Sequence, residues 1–176
     1  EMMRKKLLDW RPEGYLFRDY ERVKTGELPL QDFIRIYEAD PENLMYALEP
    51  ESINKEMSEE RFFPPDCDIE MRRPPRYYPL FYHKHDFFEF IYVLKGSCRQ
   101  YLQYDSVLLK EGDLFMMSPD LIHGIQTQKD GLILNVLVRR STFLDIFMNT
   151  IRENSVISLF FQSNMYAKKK IPYILF

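Results

Sequence analysis

His83-Lys84-His85-Asp86-Phe87-Phe88-Glu89-Phe90-Ile91-Tyr92-Val93-Leu94-Lys95-Gly96 is the stretch that decides the fold of this chain. Two histidines stand two apart, a glutamate follows four residues after the second, and a β-branched and aromatic run then ends at lysine and glycine. Side chains two apart on a strand point to the same face, so His83 and His85 share one. Glu89 shares it too if the strand continues or folds back in register. The third and last histidine, His123, lies beyond a turn at Glu111-Gly112-Asp113. Histidine is the usual neutral metal ligand and the side chain that titrates near neutral pH. A chain that confines all three to one constellation with a carboxylate has the makings of a pocket, filled by a metal ion or by an organic effector.

Outward from that stretch the pattern is short strands with turn signals every 8 to 12 residues. Strands are expected over 87–94, 99–103, 107–109, 114–117, 123–127 and 132–138, with turns at Gly112 and at Lys129-Asp130-Gly131. Even spacing of this kind predicts an all-β sandwich or barrel. Three imidazoles and a carboxylate converging inside it suit one divalent first-row metal such as zinc, nickel, manganese or iron. If no metal binds, Glu89 must be protonated or paired with an imidazolium, because an isolated buried charge is too costly. Tyr101, Met117 and Asn135 are further candidates for the pocket wall. Asn135 interrupts the apolar run 132–138 and so needs a hydrogen-bond partner.

The spacing His83-x-His85-x-x-x-Glu89, six residues, then Gly96, resembles the first cupin motif; Gly112 with His123 eleven residues later resembles the second. More closely, residues 85–96, Glu111-Gly112-Asp113-Leu114 and Pro119-x-x-x-His123 look like the N-terminal sensor domain of AraC-type transcription regulators. Asn135 and Arg140-Ser141-Thr142-Phe143 continue the likeness. The resemblance implies a mainly β cupin barrel (a double-stranded β-helix, or jelly roll) with a helical N-terminal segment and C-terminal dimerisation helices. It implies a small polar metabolite, a sugar for instance, bound by His83, His85, Glu89, Tyr101, Met117, His123 and Asn135, or a metal on His83, His85, Glu89 and His123. It further implies a cytoplasmic homodimer that is not an enzyme. DNA would be reached through a C-terminal helix-turn-helix domain absent from these residues. The alternative is a stand-alone metal-dependent cupin enzyme, a dioxygenase or an isomerase. Three positions depart from the cupin pattern: Tyr77 stands where the first motif opens with glycine, Ser118-Pro119-Asp120 replaces Pro-x-Gly, and Thr127 stands where catalytic cupins often carry asparagine. These departures count against the enzyme more than against the sensor.

The divisions expected are a helical segment over 1–65, the barrel over 66–140 and a helical dimerisation segment over 141–176. In the first, Leu16, Phe17, Tyr20 and Val23 recur at helical spacing before Gly26, and Leu30, Phe33, Ile34 and Tyr37 form a second set. Asp40-Pro41-Glu42 reads as an N-cap, a first-turn proline and a first-turn acid, with Leu44, Met45 and Leu48 as the apolar face. Prolines at 64, 65, 74, 75 and 79 restrict any strand there to an edge. Arg72-Arg73-Pro74-Pro75-Arg76 reads as a solvated edge, with the lesser reading that one arginine holds an anion at the pocket mouth. After Arg140, Ser141 is a candidate N-cap for a stripe of Phe143, Ile146, Phe147 and Ile151. The stretch 156–166 is apolar on more than one side, which suits either the barrel or a partner, and Lys168-Lys169-Lys170 reads as a solvated turn before a last strand.

With 45% apolar and 15% aromatic residues the chain is globular, and its formal charge of −3 gives no basic surface for nucleic acid. Cys67 and Cys98 do not make a disulfide framework and read as thiols in a reducing compartment, with a single bridge left open. No stretch is long and apolar enough to span a membrane. The apolar end Pro172-Tyr173-Ile174-Leu175-Phe176 suggests a chain cut from something longer.

Overall fold

The structure, a computed structural model, describes residues 12–50, 56–127, 131–142, 155–167 and 170–176. Three short helices come first: α1 (Pro12–Lys24), α2 (Leu30–Tyr37) and α3 (Pro41–Leu48). Strand β1 (Glu56–Met57), helix α4 (Glu59–Phe62) and strand β2 (Ile69–Arg72) lead into the barrel. There follow β3 (Lys84–His85), β4 (Phe88–Lys95), β5 (Ser97–Leu102), β6 (Ser106–Lys110), β7 (Leu114–Met117), β8 (His123–Thr127) and β9 (Leu132–Val138). Helices α5 (Arg140–Thr142) and α6 (Val156–Tyr166) and strand β10 (Tyr173–Leu175) close the order.

A five-stranded sheet runs β10-β7-β4-β9-β2 and a three-stranded sheet runs β6-β5-β8; the paired strands within both are antiparallel. The two sheets enclose a core of Ile91, Val93, Cys98, Leu109, Phe115, Met117 and Ile133. Tight turns at Gly96 (φ 72°) and Gly112 (φ 93°) need the left-handed backbone that glycine adopts freely. The proline-flanked β2 is an edge strand, as its composition requires. Strand β10 pairs with β7, Tyr173 opposite Met117, so the sheet reaches beyond the boundary expected at residue 140.

β4 explains why its run is apolar without alternation. Glu89, Ile91 and Val93 face inward, while Phe88 and Phe90 face outward and meet Phe160 and Phe161 of α6. The Phe88 and Phe161 rings lie 5.2 Å apart, edge to face. Of the two readings for 156–166, packing on the barrel holds for Ser158, Phe160, Phe161 and Asn164, whereas Val156, Leu159 and Tyr166 remain exposed. The stripe expected at 143–151, the turn expected at 129–130 and Lys168-Lys169 lie outside the described residues.

The helical cap is stitched around Leu16, Phe17, Phe33 and Ala47. Asp40 caps α3, its side chain accepting from the Asn43 backbone N–H. Leu30, Ile34 and Met45, expected on the buried faces, are exposed. Three short helices around one small cluster bury only a narrow stripe each, and Phe33 and Ala47 take it. Helix α1 is tied to α2 by a polar contact: the Tyr37 hydroxyl donates to Asp19 Oδ2 at 2.7 Å, and Arg18 and Arg22 reach Asp19 Oδ1. Burial pushes the Asp19 carboxyl up, but the bonds from Tyr37 and the arginines outweigh it and hold it below its ordinary value. Burial and the same bond push the Tyr37 hydroxyl up to about 12. Tyr37→Phe should cost about 1 kcal/mol. Because the folded-state value is raised, that contribution is fully present below about pH 10 and disappears as the pH climbs toward 12. Thermal midpoints of the two proteins should therefore converge across that interval; a constant gap would remove this account of the contact.

Both cysteines are free. Burial pushes the Cys98 thiol up to about 12, which makes it unreactive. Among the described residues no helix is long and apolar enough to cross a membrane.

Candidate ligand and metal site

The residues of the histidine motif come together through backbone, not through one continuous strand. His83 and His123 lock to each other by reciprocal main-chain bonds, His83 N–H to the His123 carbonyl at 2.8 Å and the reverse at 2.9 Å. Their rings lie 4.3 Å apart. The chain then bends between β3 and β4, where the Asp86 N–H donates to the Met57 carbonyl. Glu89 thus enters from the neighbouring strand, in the centre of the five-stranded sheet.

Glu89 is the hub. Its Oε2 stands 3.0 Å from His85 Nε2 and 3.2 Å from His123 Nε2, and Asn135 Nδ2 donates to its Oε1 in a short bond. Burial raises its pKa, but the bonds and charges of His123 and His85 outweigh that and hold the carboxyl well below the usual range. His83 is driven the other way: burial, with His123 beside it, lowers it to about 3, so its imidazole is neutral. Each ring is oriented by a main-chain carbonyl at Nδ1: Phe81 at 3.4 Å for His83, Phe87 at 2.7 Å for His85 and Leu121 at 2.9 Å for His123. Such contacts fix the tautomer and aim the Nε2 lone pair. His85 is also stacked on Phe87, centroids 4.3 Å apart and planes 7° from parallel.

These residues fit a divalent cation. Ligand atoms of His83, Glu89 and His123 lie within 4.8 Å of one another, close to the roughly 4.4 Å that one ion with bonds of about 2.0–2.2 Å spans. His85 and His123 each have an acceptor at both nitrogens. A neutral imidazole carries one N–H, so a second proton on a ring, or a bound cation, completes the pairing around Glu89. His85 is not part of the compact group and stands on Glu89 as an orienting neighbour.

The cluster lines a cavity of about 380 Å³, within the range of small-molecule sites. Its wall is mostly apolar and aromatic, with Phe81, Phe87, Ile91, Ile125 and Leu137 from the barrel. Tyr46 of α3 and Tyr78 close it from the cap, Tyr46 lying 6.0 Å from Phe81, which in turn is 4.9 Å from His83. Of the further candidates, Asn135 lines the cavity and keeps a buried Oδ1 with no partner among the described residues. Tyr101 and Met117 do not line it, a correction that strand geometry explains. On β5, Cys98, Gln100 and Leu102 point in, so Tyr101 points out, its hydroxyl donating to Gln126. Met117 points inward but below the floor, in the closed core, where its sulfur accepts from Gln100 Nε2.

Two departures from the motif coincide with the two non-glycine residues of positive φ among the described residues, Tyr77 at 58° and Asp120 at 66°. The backbone keeps the left-handed turn that the motif's glycine would supply. Aspartate tolerates that conformation; tyrosine does not, and its ring is held by packing into the cap. Gly124 was not singled out by the sequence, although a glycine next to a ligand residue was the available signal. A Cβ there would lie 2.7 Å from the Phe81 carbonyl oxygen and 2.8 Å from Leu80 Cδ1. Gly124→Ala should therefore push the 80–83 segment off β8 and cost about 2 kcal/mol. Urea unfolding that showed no loss would mean the segment yields without strain.

Together, fold and site define a cupin-type ligand-binding domain. Residues 69–149, just under half of the chain, match the model of the AraC-like ligand binding domain. The barrel is also similar to an RmlC-like cupin from Shewanella frigidimarina, at 19% identity and a TM-score of 0.37 over 43% of this chain and 71% of that one. It is similar to a cupin protein from Bacteroides fragilis, at 20% identity and a TM-score of 0.35 over 42% and 66%. A further likeness is to oxalate decarboxylase from Bacillus subtilis, a protein with Mn(II) centres, at 26% identity and a TM-score of 0.35 over 43% and 22%. No curated protein matches the chain.

Proposed function

We propose that the chain is the effector-sensing and dimerisation part of a cytoplasmic AraC-like transcription regulator, and that it is not an enzyme. The observation that carries this reading is the cavity between barrel and helical cap, with His83, Glu89 and His123 grouped in its wall. His83, Glu89 and His123 would hold one zinc, nickel, manganese or iron ion, which would supply a positive centre for an electron-pair donor of the effector. The effector alters the balance between two arrangements only by its differential affinity for them. Strand β4 offers a mechanical link, carrying Glu89 inside and Phe88 and Phe90 outside against α6. A dimer would carry DNA-binding domains at a set half-site spacing.

A thermal-shift screen of small metabolites tests the reading. Compounds that stabilise the chain, lose their effect in His123→Ala and are recovered chemically unchanged fit a sensor. Conversion of a compound by the metal-loaded chain would instead establish the second reading, a cupin dioxygenase or isomerase, which the grouping of His83, Glu89 and His123 favours.

The dimer has its own test. Leu159 is 51% exposed on α6, next to exposed Val156, and Leu159→Glu should convert a dimer to a monomer in sedimentation while leaving the barrel folded. An unchanged mass would take α6 out of the interface.

A further inference from the structure

We propose that Asn135 is a positioning residue for a metal ion. By holding one oxygen of Glu89 it makes that carboxylate a one-oxygen ligand and tilts the site toward zinc over manganese. This rests on the metal reading above and narrows it from several ions to a preference between them. Asn135 stands on β9 opposite Ile91 of β4, and Glu89 stands opposite Leu137. The two are therefore diagonal neighbours on one face of paired strands, close enough for their side chains to meet. Both strands lie inside the five-stranded sheet rather than at its edge, so the backbone on either side of the contact is held by ladders. Ile133 and Leu137, the inward residues on either side of Asn135, are apolar and buried. An amide in such a stripe needs a reason.

The two ends of the amide give it. Nδ2 donates to Glu89 Oε1 in a short bond, while the buried Oδ1 has no partner among the described residues. Turning the amide over would set that oxygen, an acceptor, against the carboxylate, so Glu89 fixes its orientation. The other carboxylate oxygen, Oε2, faces the imidazoles, 3.0 Å from His85 Nε2 and 3.2 Å from His123 Nε2. The carboxylate is thus divided: Oε1 belongs to the sheet and Oε2 to the ligand side. Oε2 is the oxygen left for a cation shared with His83 and His123. Engaging Oε1 as well requires breaking its bond to Asn135. One carboxylate oxygen beside imidazole nitrogens suits zinc, which is satisfied by a small tetrahedral ligand set. Manganese favours an octahedral shell of oxygens, and gains more from a carboxylate free to turn both of its own inward. Withdrawing the bond that orients a ligand costs affinity for the ion it serves.

The test titrates zinc and manganese by calorimetry into the tag-free full chain, wild type and Asn135→Leu. Leucine is close to asparagine in size and suits the apolar neighbours. The variant should bind zinc at least about tenfold more weakly and keep its manganese affinity, so that the zinc-to-manganese ratio falls by the same factor. General loosening of the barrel would weaken both ions alike, and an unchanged ratio would overturn the inference. So would a wild type that binds manganese as tightly as zinc. A second measurement needs no variant. In nitrogen-15 spectra of the wild type, the Asn135 side-chain amide should carry one proton far downfield, and saturating zinc should leave it there. Its return to an ordinary position on zinc binding would mean that Oε1 has gone to the metal, and the inference would fall while the metal site stood. If the wild type binds neither ion, the metal reading falls together with this inference, and the sensor reading then rests on the metabolite screen alone.

Discussion

Glu89→Gln is expected to lower the affinity of the chain for zinc by at least about 100-fold. The change is nearly isosteric, so the cavity keeps its shape, but the anionic oxygen shared by His85 and His123 is gone. Titration calorimetry on the tag-free chain reads the effect directly. Glu89→Ala goes further. It leaves Asn135 Nδ2 and two imidazole nitrogens without their common acceptor in a buried place. Stranding partners of a buried charge costs on the order of 3 kcal/mol, visible as an earlier urea midpoint. Full zinc affinity in the glutamine variant would remove Glu89 from the ligand set.

Phe160→Ala should be strongly destabilising although it lies outside the cavity. The ring is fully buried between Phe161, centroids 4.9 Å apart, and Phe88 at 6.3 Å. It belongs to the cluster that fastens α6 to the outer face of β4, together with Met116 and Val138. Truncating a buried phenylalanine costs about 3–5 kcal/mol. Leu159→Ala, one residue away on the exposed side, should cost well under 1 kcal/mol in a monomer. Equilibrium unfolding of the pair separates the two faces of the helix. Equal small losses would mean that α6 does not pack on the barrel as described.

Much of this architecture was readable because its signals are local. Strand ends at Gly96 and Gly112, the Asp40-Pro41 helix start and the run at β4 are set by backbone sterics, capping and side-chain period. The grouping of three histidines and Glu89 was readable from spacing alone. What spacing does not carry is the phase of neighbouring strands. Tyr101 and Gln100 differ by one residue, and only the pairing of Tyr101 with Gly124 and Ser106 decides which of them enters the barrel. The same limit hid how His85 meets Glu89, which depends on the bend at Asp86. The cap residues Tyr46 and Tyr78 meet the barrel through contacts distant in sequence, as does Arg61, and no periodicity announces them. Gly124 has an ordinary backbone conformation, so only the approach of Phe81 shows why a side chain is excluded there.

The three imidazoles are the only ones in the chain, so their nitrogen-15 signals report on the cavity floor without interference. A zinc titration of uniformly labelled, tag-free protein is the most direct measurement, because a merely self-satisfied buried network would ignore the ion. The Nε2 signals of His83 and His123 should move to metal-bound positions and saturate at one equivalent, with Nδ1 of each ring still protonated against its carbonyl. Three imidazoles that stay unchanged at one equivalent of zinc would contradict the claim that this floor is a binding site.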